Sequence, residues 1–253
     1  MPVLRKKSLL ERLLSKIGIN TPNAEYKFVV GSRRVVKSIG DIEHTGPGFY
    51  ESDIWTKAAK ENFEGKLRKG ESVYFEIVDY TPEGSPIMGS HSNEKLKKFM
   101  DKYEYKQFIN RYGDTTEFHY GCNRSEYDIY VYRITTTNED GESVDYSWNQ
   151  VKTRCEQLGV KYVPEIEQFV VNDWQLTATA ENQIIDFSLE SLLQKLTDRE
   201  SEIFKQHIKE GIVVRVENGG STPLFYKNKG FLFKAIEGII KDNDVVDLEE
   251  TQS

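Results

Sequence analysis

The sequence predicts an α+β protein with mainly antiparallel sheets and flanking helices. Runs rich in β-branched and aromatic residues, such as SVYFEIVDY and YDIYVYR, are bounded by turn residues, which is the mark of strands. Amphipathic stretches of helical period interrupt the strands without the strict strand–helix alternation of a doubly wound fold. Hairpin-like turns, such as Asn138 to Gly141, favour antiparallel pairing.

Taken in order, Leu9, Leu10, Leu13, Leu14 and Ile17 form the apolar stripe of a helix ended by Gly18, and such a stripe is expected to pack on something. PVLRKK before it looks like the end of a strand. YKFVVGSRRVVK follows as a strand, then the turn HTGPG and a helix near Trp55 to Phe63. After SVYFEIVDY, a helix places Leu96, Phe99, Met100 and Tyr103 on one face. YDIYVYRITTT and its partner form two strands, and a helix carrying Trp148, Val151, Cys155 and Leu158 stops at Gly159. Ser188 is placed to cap a leucine-rich helix through Leu196. Thr197 and Glu200 have capping-box spacing for a second helix ending at Gly211. GIVVRVE and GFLFKAI close the sheet as strands around the loop ENGGSTPLFYKNK.

The chain has 253 residues, 38% hydrophobic and 30% charged, and its longest apolar runs are a few residues, against about 20 for a membrane span. No secretory cleavage pattern follows the basic amino end, so the protein reads as cytoplasmic, with no membrane partner. Its two cysteines, Cys122 and Cys155, form no CxxC pair and read as idle thiols. The net charge of −7 is uneven: residues 1–37 hold nine Lys/Arg against two acids, which suits phosphate contact, and 241–253 hold five acids against one lysine. Residues 1–240 read as one domain and 241–253 as an acidic, flexible tail.

Charges inside apolar strands carry the functional signal, because an ion there needs a partner or a ligand. Glu76 lies between Tyr74 and Val78 on one strand face; Lys234 lies between Leu232 and Ile236; Arg33 shares a face with Val29 and Val35; Glu210 opens the strand through Val214. Singly, each reads as an edge charge or a structural ion pair. Together they fit a phosphate site, with cations clamping phosphate, carboxylates holding Mg²⁺ or a ribose hydroxyl, and the tyrosines of YDIYVYR offering a ring face to a base.

Weaker patterns resolve as structural. His119 and Cys122 lack the second pair a zinc site needs, and His44, His91 and His207 are isolated in the sequence. NGGSTP lacks the GK[ST] of a P-loop. Tyr103, Tyr105, Phe108 and Tyr112 read as core aromatics of a helix.

EGIVVRVE (210–217) and FLFK (231–234), preceded by GSRR (31–34), FEIV (75–78) and YDIYVYR (127–133), resemble the ordered motifs of ATP-dependent RNA ligases, phage type-2-like branch, within the covalent nucleotidyltransferases. The resemblance implies the adenylation fold shared with DNA ligases, ATP-grasp-like and here incomplete at its amino end. It implies joining of RNA 5′-phosphate and 3′-hydroxyl ends, in RNA or a nicked duplex, through protein-AMP and RNA-adenylate intermediates, with ATP and Mg²⁺ or Mn²⁺ required. Carried over, Arg33 contacts phosphates or the RNA end, Glu76 the ribose or metal, Tyr132 stacks on adenine with Tyr130 as the alternative, Glu210 assists metal binding and nucleotidyl transfer, and Lys234 binds the α-phosphate.

The family pattern is departed from in five places, the first being Tyr132 where phenylalanine is common. A small residue usually precedes the glutamate of FEIV and a glycine stands three beyond it, where this chain has Phe75 and Asp79. The last motif usually carries two lysines two positions apart; Leu232 replaces the first, unless Lys227 or Lys229 substitutes. No K-x-D/H-G nucleophile motif occurs among residues 1–31, so the expectation is a chain inactive alone, through a misassigned start, a lysine supplied by a separate polypeptide, or a remnant that binds nucleotide or nucleic acid without catalysis. Lastly, little follows Ile236 where many relatives carry a further RNA-engaging domain.

Overall fold

The structure, a computed structural model, describes residues 2–4, 6–19, 21, 24–32, 35–39, 42–43, 53–169, 177–180, 183–186 and 189–240. Arg33, Ser188, His44 and the acidic tail 241–253 lie outside the described residues. In chain order the elements are β1 (Pro2–Leu4), α1 (Leu9–Lys16), β2 (Ala24–Tyr26), β3 (Val29–Gly31), β4 (Val36–Ile39), β5 (Ile42–Glu43), α2 (Ile54–Phe63) and β6 (Glu71–Asp79). They continue as β7 (Ser90–Ser92), a 3₁₀ turn (Asn93–Lys98), α3 (Lys102–Tyr112), β8 (Thr115–Glu117), β9 (Tyr127–Thr137), β10 (Ser143–Asp145), α4 (Trp148–Leu158) and β11 (Lys161–Tyr162). The last are β12 (Thr177–Ala180), β13 (Gln183–Asp186), α5 (Leu189–Thr197), β14 (Gly211–Val216), β15 (Leu224–Lys229) and α6 (Phe231–Glu237). Mixed helices and mostly antiparallel pairs agree with the α+β class; β9 with β11 is the one parallel pair among the described residues, and α4 makes the crossover such a pair needs. No helix among the described residues is long and apolar enough to cross a membrane.

The chain divides into two compact units, each assembled from three stretches: 1–87, 123–163 and 217–223 in the first, and 88–122, 164–216 and 224–253 in the second. In the first unit the long antiparallel pair β6–β9 is the backbone of the core. Phe75 opposes Val131 and Ile77 opposes Ile129 on the buried face. The register then shifts, leaving Tyr132 as an extra residue on β9, and Val73 opposes Ile134. The bulge changes which positions of β9 point inward, so that Val131 and Ile134, three apart, are both fully buried. Helix α2 packs Ala58, Ala59 and Phe63 on this face, and α4 adds Val151, Cys155 and Leu158. Helix α4 starts at a capping box between Ser147 and Gln150, which the structure reveals, and ends as its sequence predicts at Gly159, in the left-handed conformation.

One buried ion pair fastens the start of β6. The Arg154 guanidinium donates to both oxygens of Glu71, each at 2.8 Å, and also to the Lys66 carbonyl at 2.9 Å. The Arg68 amide donates to Glu71 at 2.9 Å and the Tyr146 hydroxyl at 3.3 Å. Burial by itself would raise the carboxyl pKa, but these donors outweigh it and hold Glu71 below its ordinary 4.5.

The second unit is built on Leu96, Phe108, Phe118, Ile208, Phe233 and Ile236. Phe118 meets Phe233 edge-on at 5.3 Å, and the Lys95 ammonium donates to the Ile236 carbonyl at 2.8 Å, satisfying the end of α6. β7 pairs with β8, β12 with β13 and β14 with β15, all antiparallel.

Five expectations change. YKFVVGSRRVVK is two strands, β3 and β4, paired antiparallel with Val30 opposite Ser38. The helix expected over Leu96 to Tyr103 is split, because Asp101 accepts from the amides of Tyr103 and Glu104 and so starts α3 afresh; Tyr103 is solvent-exposed. No second helix follows Thr197: its hydroxyl donates to Leu193 and accepts from Asn228, Asp198 caps α6 by accepting from the Phe231 amide at 2.8 Å, and Glu200 bridges to Ile208. GFLFKAI is helical, since Phe233 and Ile236 bury at helical spacing, and the strand facing β14 is LFYKNK. Helix α1 forms with the Ser8–Glu11 capping box, but its stripe is not packed: Leu9 is 80% and Ile17 71% exposed.

Glu71→Gln is expected to lower unfolding free energy by about 3–5 kcal/mol, because a buried guanidinium loses its counter-charge. The folded-state pKa of Glu71 lies below the unfolded one, so this stabilisation is present above pH 4.5 and fades as pH falls through the folded value; denaturant titrations of the two proteins across that range measure it. Burial pushes the Cys155 thiol up to about 11, so a thiol reagent near neutral pH should label half-exposed Cys122 in the native protein and reach Cys155 only after unfolding.

Candidate functional site

Two groups of side chains carry the chemistry, one in each unit. In the first unit Glu76 is exposed on the face of β6 away from the core and lies directly opposite Tyr130 of β9. Tyr132 stands at the bulge, 38% exposed, with its ring 6.3 Å from that of Tyr74. Arg133 lies over the Tyr74 ring at 5.1 Å and is held from the other side by Asp145, at 2.6 and 2.8 Å. Tyr130 is nearly buried beneath Lys161, whose ammonium is 5.7 Å from its ring centre. The face thus presents the Glu76 carboxylate with open aromatic surface beside it, and the cations Arg133 and Lys161, which are held by Asp145 and Asp128. Asp79, where the resemblance places a glycine in relatives, has φ of 78°, the left-handed region that favours glycine.

In the second unit Glu210 immediately precedes β14. Its carboxyl accepts from the Tyr120 hydroxyl at 2.9 Å, and its carbonyl accepts from the Gly230 amide at 2.8 Å. Burial pushes its carboxyl pKa up; the Tyr120 hydrogen bond, with His207 and Lys229, opposes the rise, while Glu237 adds to it. The Tyr120 ring is braced edge-on against the buried His207 ring at 5.3 Å, and that imidazole is fixed between the carbonyls of Ile208 at 2.7 Å and His119 at 2.8 Å. The next residue, Gly211, lies opposite Lys229, and Val213 opposite Lys227, so both lysines project on one face of the β14–β15 pair. Arg215 lies on the same face, its guanidinium 5.4 Å from the Phe225 ring centre.

Of the residues singled out by sequence, Glu76 and Tyr132 are neighbours on one sheet face, and Glu210 stands at the head of the lysine-bearing hairpin. Lys234 does not sit on a strand: it is in α6, and no hydrogen bond or ion pair joins it to Glu210. Lys227 and Lys229, two apart on a strand facing the Glu210 segment, have the placement expected of Lys234. Their signal was the alternation of LFYKNK, which competed with the equally apolar FLFKAI. Tyr120 carried no sequence signal, because its contact with Glu210 spans 90 positions.

The donor set suits a divalent cation bound together with phosphate. Among the described residues no group of three or more His, Cys, Asp or Glu is assembled. A desolvated Glu210 carboxylate with Glu237 nearby is the environment a cation relieves, and its oxygen ligands match Mg²⁺ or Mn²⁺.

The polar groups this chain presents are thus a half-buried carboxylate at the head of a strand opposite Lys229 and Lys227 in one unit, and a second carboxylate beside exposed tyrosines in the other. The sequence matches the RNA ligase family over residues 23–236, and the chain belongs to that family. No curated protein and no solved structure matches it.

Gly211 has no room for a side chain: a Cβ there would lie 2.2 Å from the Asn228 carbonyl oxygen and 2.7 Å from the Lys229 Cα. Gly211→Ala should therefore spread the pair at Lys229, costing about 1–3 kcal/mol or more in thermal or denaturant unfolding.

Proposed function

We propose that this chain is the adenylation part of an ATP-dependent RNA ligase of the phage type-2-like branch, with the nucleotidyltransferase fold, joining RNA 5′-phosphate and 3′-hydroxyl ends through protein-AMP and RNA-adenylate intermediates. The observation that carries the reading is the desolvated Glu210 carboxylate, braced by Tyr120, at the head of a strand opposite Lys229 and Lys227, all within the region matched to the family. By the resemblance alone, Glu76 is assigned to a ribose hydroxyl or the metal and Tyr132 to the adenine. Lys227 and Lys229, in place of Lys234, bind the nucleotide phosphates, where cations favour the charge that develops during transfer. Arg33 is assigned to phosphates or the RNA end by its place in GSRR. When bound, Mg²⁺ or Mn²⁺ neutralises phosphate charge and polarises the reacting phosphorus.

The nucleophilic amine is not among these groups. No lysine among residues 1–31 stands in a K-x-D/H-G turn. Residues 1–253 therefore bind ATP without becoming labelled unless a lysine motif is supplied to them.

Incubation with α-labelled ATP and Mg²⁺ should leave the isolated chain unlabelled, while calorimetry shows ATP binding that weakens about ten-fold in Glu210→Gln and in Lys227→Ala/Lys229→Ala, the scale of one charge-assisted contact. Adding a peptide with the K-x-D-G strand should then produce label. Strong label on the isolated chain, or ATP affinity indifferent to these substitutions, contradicts the assignment.

A further inference from the structure

The first unit also has a groove on the other side of β6 from Glu76. It encloses about 440 Å³ and is walled by Tyr26 to Gly31, by Ala59 and Phe63 of α2, by Gly65 and Leu67 to Gly70, and by the start of β6. Val73 and Phe75 line it, whereas Tyr74 and Glu76 face away. Its floor is apolar and its lips are basic.

One lip is the sequence Gly65-Lys66-Leu67-Arg68-Lys69-Gly70, bounded by glycines in the left-handed region, with φ of 73° and 77°. This loop is fixed at every turn. Leu67 packs against the core, the Lys66 carbonyl accepts from Arg154, the Arg68 amide donates to Glu71, and the Gly70 carbonyl accepts from the Thr137 amide at 2.9 Å. Gly70 lies so close to Thr137 that a Cβ would be 2.1 Å from its carbonyl oxygen. The backbone is therefore rigid while Lys66, Arg68 and Lys69 are exposed. Arg68 reaches Gln157 at 3.4 Å. On the opposite lip Lys27 is exposed, paired with Glu25 at 3.0 Å, and flanked by the half-buried rings of Tyr26 and Phe28.

We propose that this groove is a contact site for single-stranded RNA, separate from the nucleotide-binding residues. One base lies against Tyr26 and Phe28, and the adjoining phosphates lie on Lys27 and the cations of the loop. In a chain of net charge −7, three cations that line one groove, Lys27, Arg68 and Lys69, with Lys66 beside them on the same pre-fixed loop, form a local phosphate footprint. Ring faces beside a cationic track are the means by which single strands are held without base-edge readout. The volume falls in the range of about 300–1,000 Å³ typical of small-ligand sites, which suits one unstacked nucleotide and not a duplex. The choice of RNA over an acidic polypeptide rests on the RNA ligase reading.

The test is fluorescence anisotropy of the full chain with a labelled, 5′-phosphorylated single-stranded oligoribonucleotide, without ATP or metal, over a range of salt. Lys66→Ala/Arg68→Ala/Lys69→Ala is expected to weaken binding at least about ten-fold and to flatten the slope of log affinity against log salt by about 2, at roughly 0.7 per phosphate contact. Tyr26→Ala is expected to lose the quenching of a 2-aminopurine base in the same strand. Lys69→Glu, a single exposed change, serves if the triple variant has a lowered unfolding midpoint. Affinity and slope unchanged in these variants overturn the proposal, as does no RNA binding by the wild type, or displacement of the RNA by polyglutamate at equal charge. ATP affinity of the triple variant stays at the wild-type value. Loop-dependent RNA binding by a chain that fails to bind ATP overturns the nucleotide reading alone.

Discussion

The first unit depends on how β6 and β9 keep paired through a one-residue mismatch. Both strands must present apolar side chains to α2 and α4, yet Val131 and Ile134 are an odd number of positions apart and a regular strand would turn one of them outward. The bulge resolves this conflict by inserting Tyr132 as an extra residue on β9. Its ring then stands clear of the core, on the strand next to the one that carries Glu76. Core packing and the presentation of a candidate base-stacking ring are two results of one register shift.

In the second unit the governing constraint is desolvation. A carboxyl as buried as that of Glu210 costs free energy in its ionised form unless donors or cations attend it. The protein provides one neutral donor, Tyr120, and aligns it through an imidazole whose two nitrogens are both taken by backbone carbonyls. Glu71 is the counter-example within the same chain. Its carboxyl is also buried, but a bidentate guanidinium and a backbone amide satisfy it, and it serves only to hold the fold. The outcome is opposite for the two groups: the carboxyl pKa of Glu210 is raised by its burial, and that of Glu71 is lowered by its donors.

Much of this was legible in the sequence, for reasons that can be stated locally. The end of helix α4 was read correctly because Gly159 is a local signal, and β6 because its alternation runs over nine residues. The failures share one cause, which is competition settled by distant contacts. FLFKAI alternates like a strand and also spaces Phe233 and Ile236 like a helix; the Asp198 cap decided between them from 33 positions away. Thr197 and Glu200 had the spacing of a cap, but each found a tertiary partner first. Family membership was readable from EGIVVR and its ordered companions, whereas the lysines that face the Glu210 segment required the β14–β15 register.

Each unit is sewn from three non-adjacent stretches, and this shapes the order in which the protein is made. During synthesis β6 emerges well before β9, its principal partner, so its apolar side must remain unpaired while some fifty residues are added. The second unit begins at residue 88 but has β14, β15 and α6 among its last-made elements. Such contacts, remote along the chain, slow folding and lengthen the exposure of sticky intermediates on the ribosome. A nascent chain of this design therefore matures late and almost all at once, and fragments cut at the boundaries of any single stretch would carry unpaired strands into solution.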